Sequence, residues 1–224
     1  MPEPSALLIY GESGFGRELA VWAERATWGL TPICVVGLID DFSTREVANG
    51  LPVWRLDEAA RRHEGAFVVA AVGRPQLREH LMSQAEAAGL RAAPPLVHPG
   101  VEYDRDRVTM GDGTVICPGT TLTTNIEIGR HVQVNLHCTI AHDVQLGDFV
   151  TLSPGCHISG RVKVGRSVFV GTGVVTVNGE PGRPLLIGEG AVLGAGSSVI
   201  KDVEPNVTMF GVPARPIVTP KSVG

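Results

Sequence analysis

The sequence has no excess of positive charge and no long apolar run. Its 224 residues include 19 Lys and Arg against 23 Asp and Glu, for a formal net charge of -4, so there is no basic field to attract a nucleic acid. No stretch reaches the ~18 apolar residues that a bilayer span requires. The opening MPEPSALLIYG also lacks the basic segment and apolar core of a secretory leader. We therefore expect no nucleic acid partner, no membrane insertion and a cytoplasmic location.

Cysteine is also scarce, with four residues in the whole chain. Four are too few for the disulfide framework of a small secreted protein, and they are not spaced as metal-binding pairs. We expect no bound metal. Cys138 and Cys156 occupy equivalent places of the repeat described next, and we expect both to be small apolar fillers of a core.

The second half of the chain repeats with a period of six. Every sixth residue is aliphatic at eleven successive positions, and the residue after each is usually small. This period fits neither a helix nor an alternating strand, but it is typical of a parallel β-helix built from hexapeptides. Three hexapeptides make one triangular coil, so side chains three hexapeptides apart lie on neighbouring coils about 4.8 Å apart. The aliphatic positions are Met110, Ile116, Leu122, Ile128, Val134, Ile140, Leu146, Leu152, Ile158, Val164 and Val170.

The first 95 or so residues hold most of the helix-forming runs, and they predict a Rossmann-like βαβαβ domain. Such a short domain suits a mononucleotide better than a dinucleotide. The predicted elements are a strand at Leu7–Tyr10, a helix from near Phe15, a strand at Val35–Ile39, a helix at Leu56–Arg62, a strand at Ala66–Val72 and a helix at Gln76–Ala88.

The carboxyl ends of the predicted strands carry candidate ligand-binding residues. The loop GESGFG after the first strand does not have the spacing G-x-G-x-x-G. Its glycines either present free N–H groups to a phosphate or only make a tight turn. Asp40 and Asp41 follow the second strand and Gly73 follows the third, at the edge where open parallel sheets bind ligands. We expect these three residues to help hold a nucleotide.

Breaks in the pattern divide the chain. The run AAPPLVHPG separates the two halves, which gives a nucleotide-binding domain at 1–97 and a β-helix at 98–206. Residues 207–224 are rich in proline and are expected to pack along the β-helix as an irregular tail. The count of six also fails at 176–186 and resumes at Ile187. This insertion is either a surface loop or a flap beside a bound ligand.

His142 and Asp143 are the strongest candidates for chemistry. His142 occupies an outward-pointing place of its hexapeptide, and an adjacent carboxylate that fixes the tautomer makes an exposed imidazole a suitable general base. Gly160 follows three hexapeptides later, hence on the next coil. Because it lacks a side chain, its backbone N–H is expected to be open to an oxyanion or a thioester carbonyl. The alternative is that His142 is an ordinary surface histidine.

Several motifs resemble those of one enzyme family. GESGFGREL, the Asp pair at 40 and 41, LVHP, the segment from Asn135 through HD to LGDF and SPG, VLGAGSSVIKDV and FGVPARP are similar to the hexapeptide-repeat acyltransferases that acetylate sugars. These are the sialic acid O-acetyltransferases and the nucleotide-amino-sugar N-acetyltransferases. The resemblance implies a left-handed β-helix, a homotrimer with acetyl-CoA in the groove between two β-helices, and a nucleotide-linked sugar on the N-terminal domain.

The same resemblance assigns roles to individual residues. His142 removes a proton from the acceptor amine or hydroxyl, Asp143 strengthens it as a base, and Asn135 helps hold the acceptor. Phe15 replaces a histidine that contacts the sugar nucleotide in some members, so the sugar and its carrier nucleotide stay open. The implied acetyl-CoA path is Thr151, Gly160, Gly173 and Ala195, and the implied nucleotide-sugar pocket is Ser13, Gly14, Phe15, Asp40 and Asp41.

Two other functions fit parts of the sequence. His137 and His142 have the H-x4-H spacing of γ-type carbonic anhydrases, which use the same fold to bind zinc. The third ligand of such a site is expected at position 101, which is Val101, and catalytic zinc needs three protein ligands and a water. The second alternative is a scaffold that binds nucleotide sugars without catalysis.

Overall fold

The computed structural model describes residues 5–26 and 32–217. Its first part is a six-stranded sheet with strand order β3-β4-β2-β1-β5-β6, parallel except for the β3–β4 hairpin. Helices cover both faces of the sheet. The predicted Rossmann-like unit is confirmed, while the hairpin and β6 were not predicted. The elements are β1 Ser5–Tyr10, α1 Gly14–Trp22, a 3-10 turn Ala23–Arg25, β2 Ile33–Ile39, β3 Val47–Ala48, β4 Leu51–Trp54, α2 Leu56–Arg62, β5 Phe67–Ala70, α3 Pro75–Ala87 and β6 Arg91–Ala92.

The second part is a parallel β-helix, as the six-residue period predicts, and it is left-handed, as the family resemblance implies. Equivalent places pair on successive coils, for example Glu127 with Gln145 and Thr139 with His157. Its strands are β7 Leu96–Val97, β8 Val108–Met110, β9 Val115–Ile116, β10 Thr121–Leu122, β11 Ile126–Ile128, β12 Gln133–Val134, β13 Thr139–Ile140, β14 Gln145–Leu146, β15 Thr151–Leu152, β16 His157–Ile158, β17 Val162–Val164, β18 Phe169–Val170, β19 Val175–Thr176, β20 Leu185–Ile187, β21 Val192–Leu193, β22 Ser198–Val199, β23 Thr208–Phe210 and β24 Arg215–Pro216.

These strands form three faces. Face 1 comprises β10, β13, β16, β19 and β22, face 2 comprises β8, β11, β14, β17 and β20, and face 3 comprises β7, β9, β12, β15, β18, β21, β23 and β24. Three corners join them in chain order. Corner 1–2 contains residues 123–125, 141–144, 159–161 and 177–184, corner 2–3 contains 129–132, 147–150 and 165–168, and corner 3–1 contains 135–138, 153–156, 171–174 and 194–197.

Two residues of each hexapeptide fill the core. The aliphatic positions from Ile116 to Val170 are at most 4% exposed, and the residues four places later are also buried. Each buried Ile, Leu or Val side chain stabilises the fold by about 1.5–3 kcal/mol. Cys138 and Cys156 occupy this second set and are fully buried, which confirms them as core fillers.

The corners depend on two other positions of the hexapeptide. A Cβ at Gly147, directly after an aliphatic residue, would lie 2.7 Å from the Arg166 backbone nitrogen on the next coil. This explains why that position is small. The left-handed residue, however, is two places further on, as at Asn125, His137 and Asp143, where φ is 53–60°.

The N-terminal domain packs on face 3. One buried cluster contains Leu19 and Trp22 of α1 together with Val115 and Cys117 of the β-helix. The proposed domain boundary at 97 and 98 falls directly after β7, which already pairs with β9. The two parts therefore share one apolar cluster at their contact, while the interior of the β-helix forms a separate cluster.

The C-terminal segment differs from the irregular tail expected from its prolines. β23 adds a parallel strand to face 3 beside β21, and β24 pairs antiparallel with β23. Residues 218–224 lie outside the described part of the chain. Within the described ranges, none of the helices has the length and apolar character needed to cross a membrane.

Candidate active site

His142 and Asp143 form a hydrogen-bonded pair at corner 1–2, directly after β13. His142 Nδ1 and Asp143 Oδ2 are 2.8 Å apart, and both side chains are 43% exposed. Asp143 has φ 60°, a left-handed conformation that Asp adopts more readily than most residues. When Nδ1–H donates to the carboxylate, Nε2 of the neutral ring is the nitrogen left to accept a proton.

Gly160 lies on the next coil beside His142, as the hexapeptide count predicts. A Cβ there would be 2.7 Å from both Nε2 and Cε1 of His142, so the absent side chain makes room for the imidazole. The prediction that the Gly160 N–H is open to a ligand is wrong. It donates to Asn178 Oδ1 at 2.9 Å, because Asn178 occupies the equivalent place one coil further along the same column.

The carboxylate of Asp143 is held from both neighbouring coils. Asn125 Nδ2 donates to Oδ1 at 3.3 Å, and Arg161 Nε lies 3.9 Å from Oδ2. Asn125, Asp143 and Arg161 occupy equivalent places on successive coils and all have positive φ, so their side chains lie in one column. The hydrogen bond with His142, followed by the bond from Asn125 and the charge of Arg161, lowers the pKa of Asp143. Asp143 is therefore ionised at neutral pH.

Three other predicted residues lie at a different corner. Asn135, Gly173 and Ala195 belong to corner 3–1, at the opposite side of face 1 from His142. Asn135 Nδ2 donates to the Leu152 carbonyl at 2.8 Å. Gly173 and Ala195 are exposed, and a Cβ at Gly173 would meet no atom within 4 Å. Within one chain these residues do not share a cleft with His142.

Thr151 lies between the two domains, so its predicted place on the acetyl-CoA path is wrong. Only 1% of Thr151 is exposed. Its hydroxyl donates to the Gly73 carbonyl at 2.7 Å and accepts from Arg78 at 2.9 Å. The six-residue period correctly predicts a strand at β15, but the N-terminal domain covers the outer side of this strand. Gly73 itself is exposed at the carboxyl edge of β5, as predicted.

The loop after β1 shows which glycine is free for a ligand. Gly11 has φ 113°, and a Cβ at Gly16 would lie 1.8 Å from the Gly11 oxygen, so both are explained by the turn. A Cβ at Gly14 would meet nothing within 4 Å. Ser13 is the N-cap of α1 without a side-chain capping bond. Phe15 packs against the cluster shared with face 3, which places the loop near corner 3–1.

Asp40 and Asp41 lie at the carboxyl edge of β2 but already have protein partners. Asp40 accepts from the Phe42 and Ser43 N–H groups, both at 3.0 Å. Asp41 accepts from the Leu56 N–H at 2.9 Å and from the Tyr10 hydroxyl. Burial and this bond raise the pKa of Tyr10, which keeps the phenol a donor. Both carboxylates therefore hold backbone segments in place at this edge of the sheet, with or without a ligand.

The histidine pair expected for a carbonic anhydrase is not assembled. His137 belongs to corner 3–1 and His142 to corner 1–2, on either side of β13. A Cβ at Gly119 would lie 2.3 Å from Nδ1 of His137, so the His137 ring packs along its own corner. Among residues 5–26 and 32–217, no three His, Cys, Asp or Glu side chains are grouped as metal ligands.

The sequence analysis did not identify three residues that support the site and one that joins the two domains. Asn125, Arg161 and Asn178 each stand a whole coil from Asp143 or Gly160. Extending the count by three hexapeptides in both directions would have identified them. Arg78 is 1% exposed and joins α3 to face 3. No pattern in the sequence indicated its burial.

The sequence of this chain is similar to a family model and to a curated enzyme. The PglD N-terminal domain model matches residues 6–85. The chain is 31% identical over 212 residues to the GDP-perosamine N-acetyltransferase of Escherichia coli O157:H7, a match that covers 92% of this chain and 94% of that protein.

Two solved structures share the fold over nearly the whole chain. WeeI from Acinetobacter baumannii AYE is 34% identical with a TM-score of 0.83, and the match covers 95% of this chain and 100% of that one. The acetyltransferase domain of PglB from Neisseria gonorrhoeae FA1090, solved with acetyl coenzyme A, is 27% identical with a TM-score of 0.82. That match covers 96% of this chain and 100% of the other.

Proposed function

Since the chain belongs to the PglD-like family of sugar acetyltransferases, we propose that it transfers the acetyl group of acetyl-CoA to the amine of a nucleotide-linked sugar. The relative from Escherichia coli is named for an N-acetyl transfer to GDP-perosamine. This favours an amine over a hydroxyl and a guanosine carrier over uridine. Acetyl-CoA as donor is supported by the PglB complex.

One observation carries the proposal. The His142 imidazole is hydrogen-bonded through Nδ1 to an ionised carboxylate at 2.8 Å, and it stands exposed at a corner of the β-helix. Among the described residues of corner 1–2, no other group combines a base with a fixed tautomer. General-base catalysis of this kind contributes about 10²–10⁴-fold in rate.

The reaction needs no covalent enzyme intermediate. The acceptor nitrogen lone pair forms a bond to the thioester carbon while His142 Nε2 takes one N–H proton. The tetrahedral intermediate then re-forms its carbonyl bond and breaks the carbon–sulfur bond. The imidazolium returns the proton to the departing CoA sulfur, and the products are an acetamide and free CoA.

The nucleotide part of the acceptor is assigned to the carboxyl edge of the N-terminal sheet. Gly14 leaves room for close approach, and the α1 N-terminus presents free N–H groups to a phosphate. Ser13, Gly14 and Phe15, with the edge formed by Asp40, Asp41 and Gly73, are the proposed contacts.

The proposed assembly is a homotrimer in which two copies complete each site. His142 lies at corner 1–2, while Asn135 and the N-terminal loop lie at or near corner 3–1. A neighbouring copy placed with its corner 3–1 against this corner 1–2 would bring acceptor and base together. Gly173 and Ala195 would then line the acetyl-CoA groove from the second copy.

A thiol-release assay tests the function. The purified protein is incubated with acetyl-CoA and a panel of GDP-, UDP- and dTDP-linked amino sugars, and free CoA is measured. We expect release with at least one acceptor and loss of about 10²-fold or more in His142→Ala. His80→Ala, at an exposed site on α3, should match the wild type. Absence of release with every acceptor would favour the non-catalytic scaffold.

A further inference from the structure

The side chain of Asn178 completes a column of residues that includes the proposed base. Thr124, His142, Gly160 and Asn178 occupy equivalent places on successive coils at corner 1–2. Asn178 opens the loop 177–184 that interrupts the hexapeptide repeat. The other three members of the column belong to regular hexapeptides, whereas Asn178 belongs to this loop and therefore has different neighbours.

The peptide of Gly160 and the start of this loop hold each other in place. Gly160 N–H donates to Asn178 Oδ1 at 2.9 Å, and Gly179 N–H donates to the Gly160 carbonyl at 2.9 Å. The loop returns with a bond from Leu185 N–H to the Arg161 carbonyl at 3.0 Å. A Cβ at Gly179 would lie 2.2 Å from that same carbonyl oxygen, so the loop is in close contact with the coil below.

This arrangement fixes which end of the Asn178 carboxamide is free. Because Oδ1 accepts the Gly160 N–H, Nδ2 points away from that peptide with two hydrogens. Across the described part of the chain, Nδ2 has no hydrogen-bond partner, and Asn178 is exposed. Gly160 separates this donor from the His142 ring, whose Nε2 would be 2.7 Å from a Cβ at Gly160. An unpaired donor and the proposed base thus lie on either side of Gly160, at the same corner of the β-helix.

We propose that Asn178 is a further catalytic residue, whose Nδ2–H group donates to the acyl carbonyl oxygen of the thioester. The inference rests on the proposed acetyl transfer. When the acceptor nitrogen bonds to the thioester carbon, the carbonyl electron pair moves onto oxygen, and Asn178 stabilises that negative charge. The Gly160 N–H acts through Asn178, since it orients and polarises the carboxamide. Asn178 thus takes the role that the sequence assigned to the glycine amide.

Two variants separate this role from a structural one. Asn178→Asp keeps an oxygen acceptor for the Gly160 N–H and so keeps the loop anchored, but it removes the donor. Asn178→Ala removes both. We expect each to lower kcat about 10²-fold, the cost of one oxyanion donor, with little change in KM for the acceptor. Asn206→Asp makes the same substitution at an exposed position of another corner and should leave kcat unchanged.

Binding provides a second readout. Free CoA lacks the acyl oxygen, so its Kd measured by calorimetry should be within about twofold for the wild type and Asn178→Ala. Wild-type kcat in Asn178→Asp combined with a loss in Asn178→Ala would overturn the proposal in favour of loop anchoring. A higher kcat in Asn178→Ala would overturn it by showing that Asn178 blocks the Gly160 amide. If the wild type releases no CoA, the proposed function fails, and this inference with it; an active wild type with fully active variants overturns the inference alone.

Discussion

At the scale of single residues, the proposed base depends on side chains from neighbouring coils. Asp143 orients the His142 imidazole through a hydrogen bond, and Asn125 and Arg161 hold the Asp143 carboxylate from the two neighbouring coils. None of these contacts is buried, so each contributes modestly. Their combined effect is to hold one carboxylate oxygen on Nδ1 and to keep Nε2 free.

Replacing Asn125 with glycine tests this support. Glycine keeps the left-handed backbone at φ 53° but removes the donor to Asp143. We expect kcat to fall about fivefold, the factor of one modest hydrogen bond, with KM for acetyl-CoA unchanged. Asn206→Gly is the control, and the same kcat in the two variants would contradict a positioning role for Asn125.

His131 makes the stability of the fold depend on pH. It is 3% exposed, its Nδ1 has no partner within the described residues, and it stacks on Phe149 with ring centroids 4.9 Å apart. Burial lowers the pKa of His131 to about 4, helped by the charges of Arg130, Arg78 and Arg166 and opposed by Asp148. The folded protein therefore holds a neutral imidazole.

The sign of the pH effect follows from this depressed pKa. The unfolded chain takes up a proton below the ordinary value of 6.5, and the folded chain does so only near pH 4. The contribution of His131 to the free energy of unfolding is fully present above pH 6.5. It is lost as pH falls toward 4, which lowers the free energy of unfolding by up to about 3 kcal/mol. His131→Asn, which tolerates the left-handed backbone but does not titrate, should lose this part of the dependence. The free energy of unfolding is measured by denaturant titration at pH 7 and pH 4.5. An equal fall between these pH values in His131→Asn and the wild type would refute the role of His131.

The sequence predicted individual residues well where the repeat alone sets their direction. His142, Asp143 and Gly160 follow from counting hexapeptides and whole coils, because each coil repeats the geometry of the last. Thr151 also obeys that count, but it is buried because α3 happens to cover face 3. Such docking depends on surface shape between distant segments, which no period in the sequence records.

At the scale of elements, the six-residue period predicted the β-helix, while the details of its ends required the structure. β23 follows a gap in the count yet pairs with β21, since a strand needs only two or three well-placed residues to extend an existing sheet. The left-handed residues at 125, 131, 137 and 143 are Asn, His and Asp. These residues are in the same register as Gly113, Gly119 and Gly155. Asn, His, Asp or Gly at this place of the hexapeptide therefore predicts a left-handed residue at the corner.

The contact between α3 and face 3 is dominated by Arg78. Its guanidinium donates to the carbonyls of His131 at 2.8 Å, Phe149 at 2.6 Å and Val72 at 2.7 Å. Burial lowers the pKa of Arg78 to about 9, which leaves it charged at neutral pH. The charge is thus balanced by oriented dipoles of both domains.

We expect Arg78→Met to lower the free energy of unfolding by about 2–4 kcal/mol, because several buried carbonyls lose their donor. Arg78→Lys should recover part of this loss, since an ammonium reaches some of the same oxygens without the planar fork. Arg62→Met on the exposed face of α2 is the matched control and should change stability by less than about 0.5 kcal/mol. A wild-type melting curve for Arg78→Met would contradict the assigned role.

At the scale of the whole molecule, one chain carries the two halves of the proposed site at different corners. His142 lies at corner 1–2, and Asn135 at corner 3–1. Two inactive variants should therefore complement each other when their subunits mix. In a cyclic trimer of His142→Ala and Asn135→Ala chains mixed equally, about a quarter of all sites combine both intact residues.

The mixed assembly should recover about a quarter of wild-type activity after refolding together, while each variant alone stays inactive. Separate refolding followed by mixing is the control and should give no recovery, because subunits that are already assembled form mixed sites only if they exchange. No recovery in the co-refolded sample would show that both residues act within one chain, contrary to the proposed assembly.

The most direct test of the central claim is to identify the product. Wild type and His142→Asn are incubated with acetyl-CoA and GDP-perosamine, and the nucleotide sugar is analysed by tandem mass spectrometry. We expect one added acetyl group on the sugar nitrogen, formed at least about 10²-fold more slowly by His142→Asn. An acetyl ester on a hydroxyl, or an acetamide formed at the wild-type rate by His142→Asn, would contradict it.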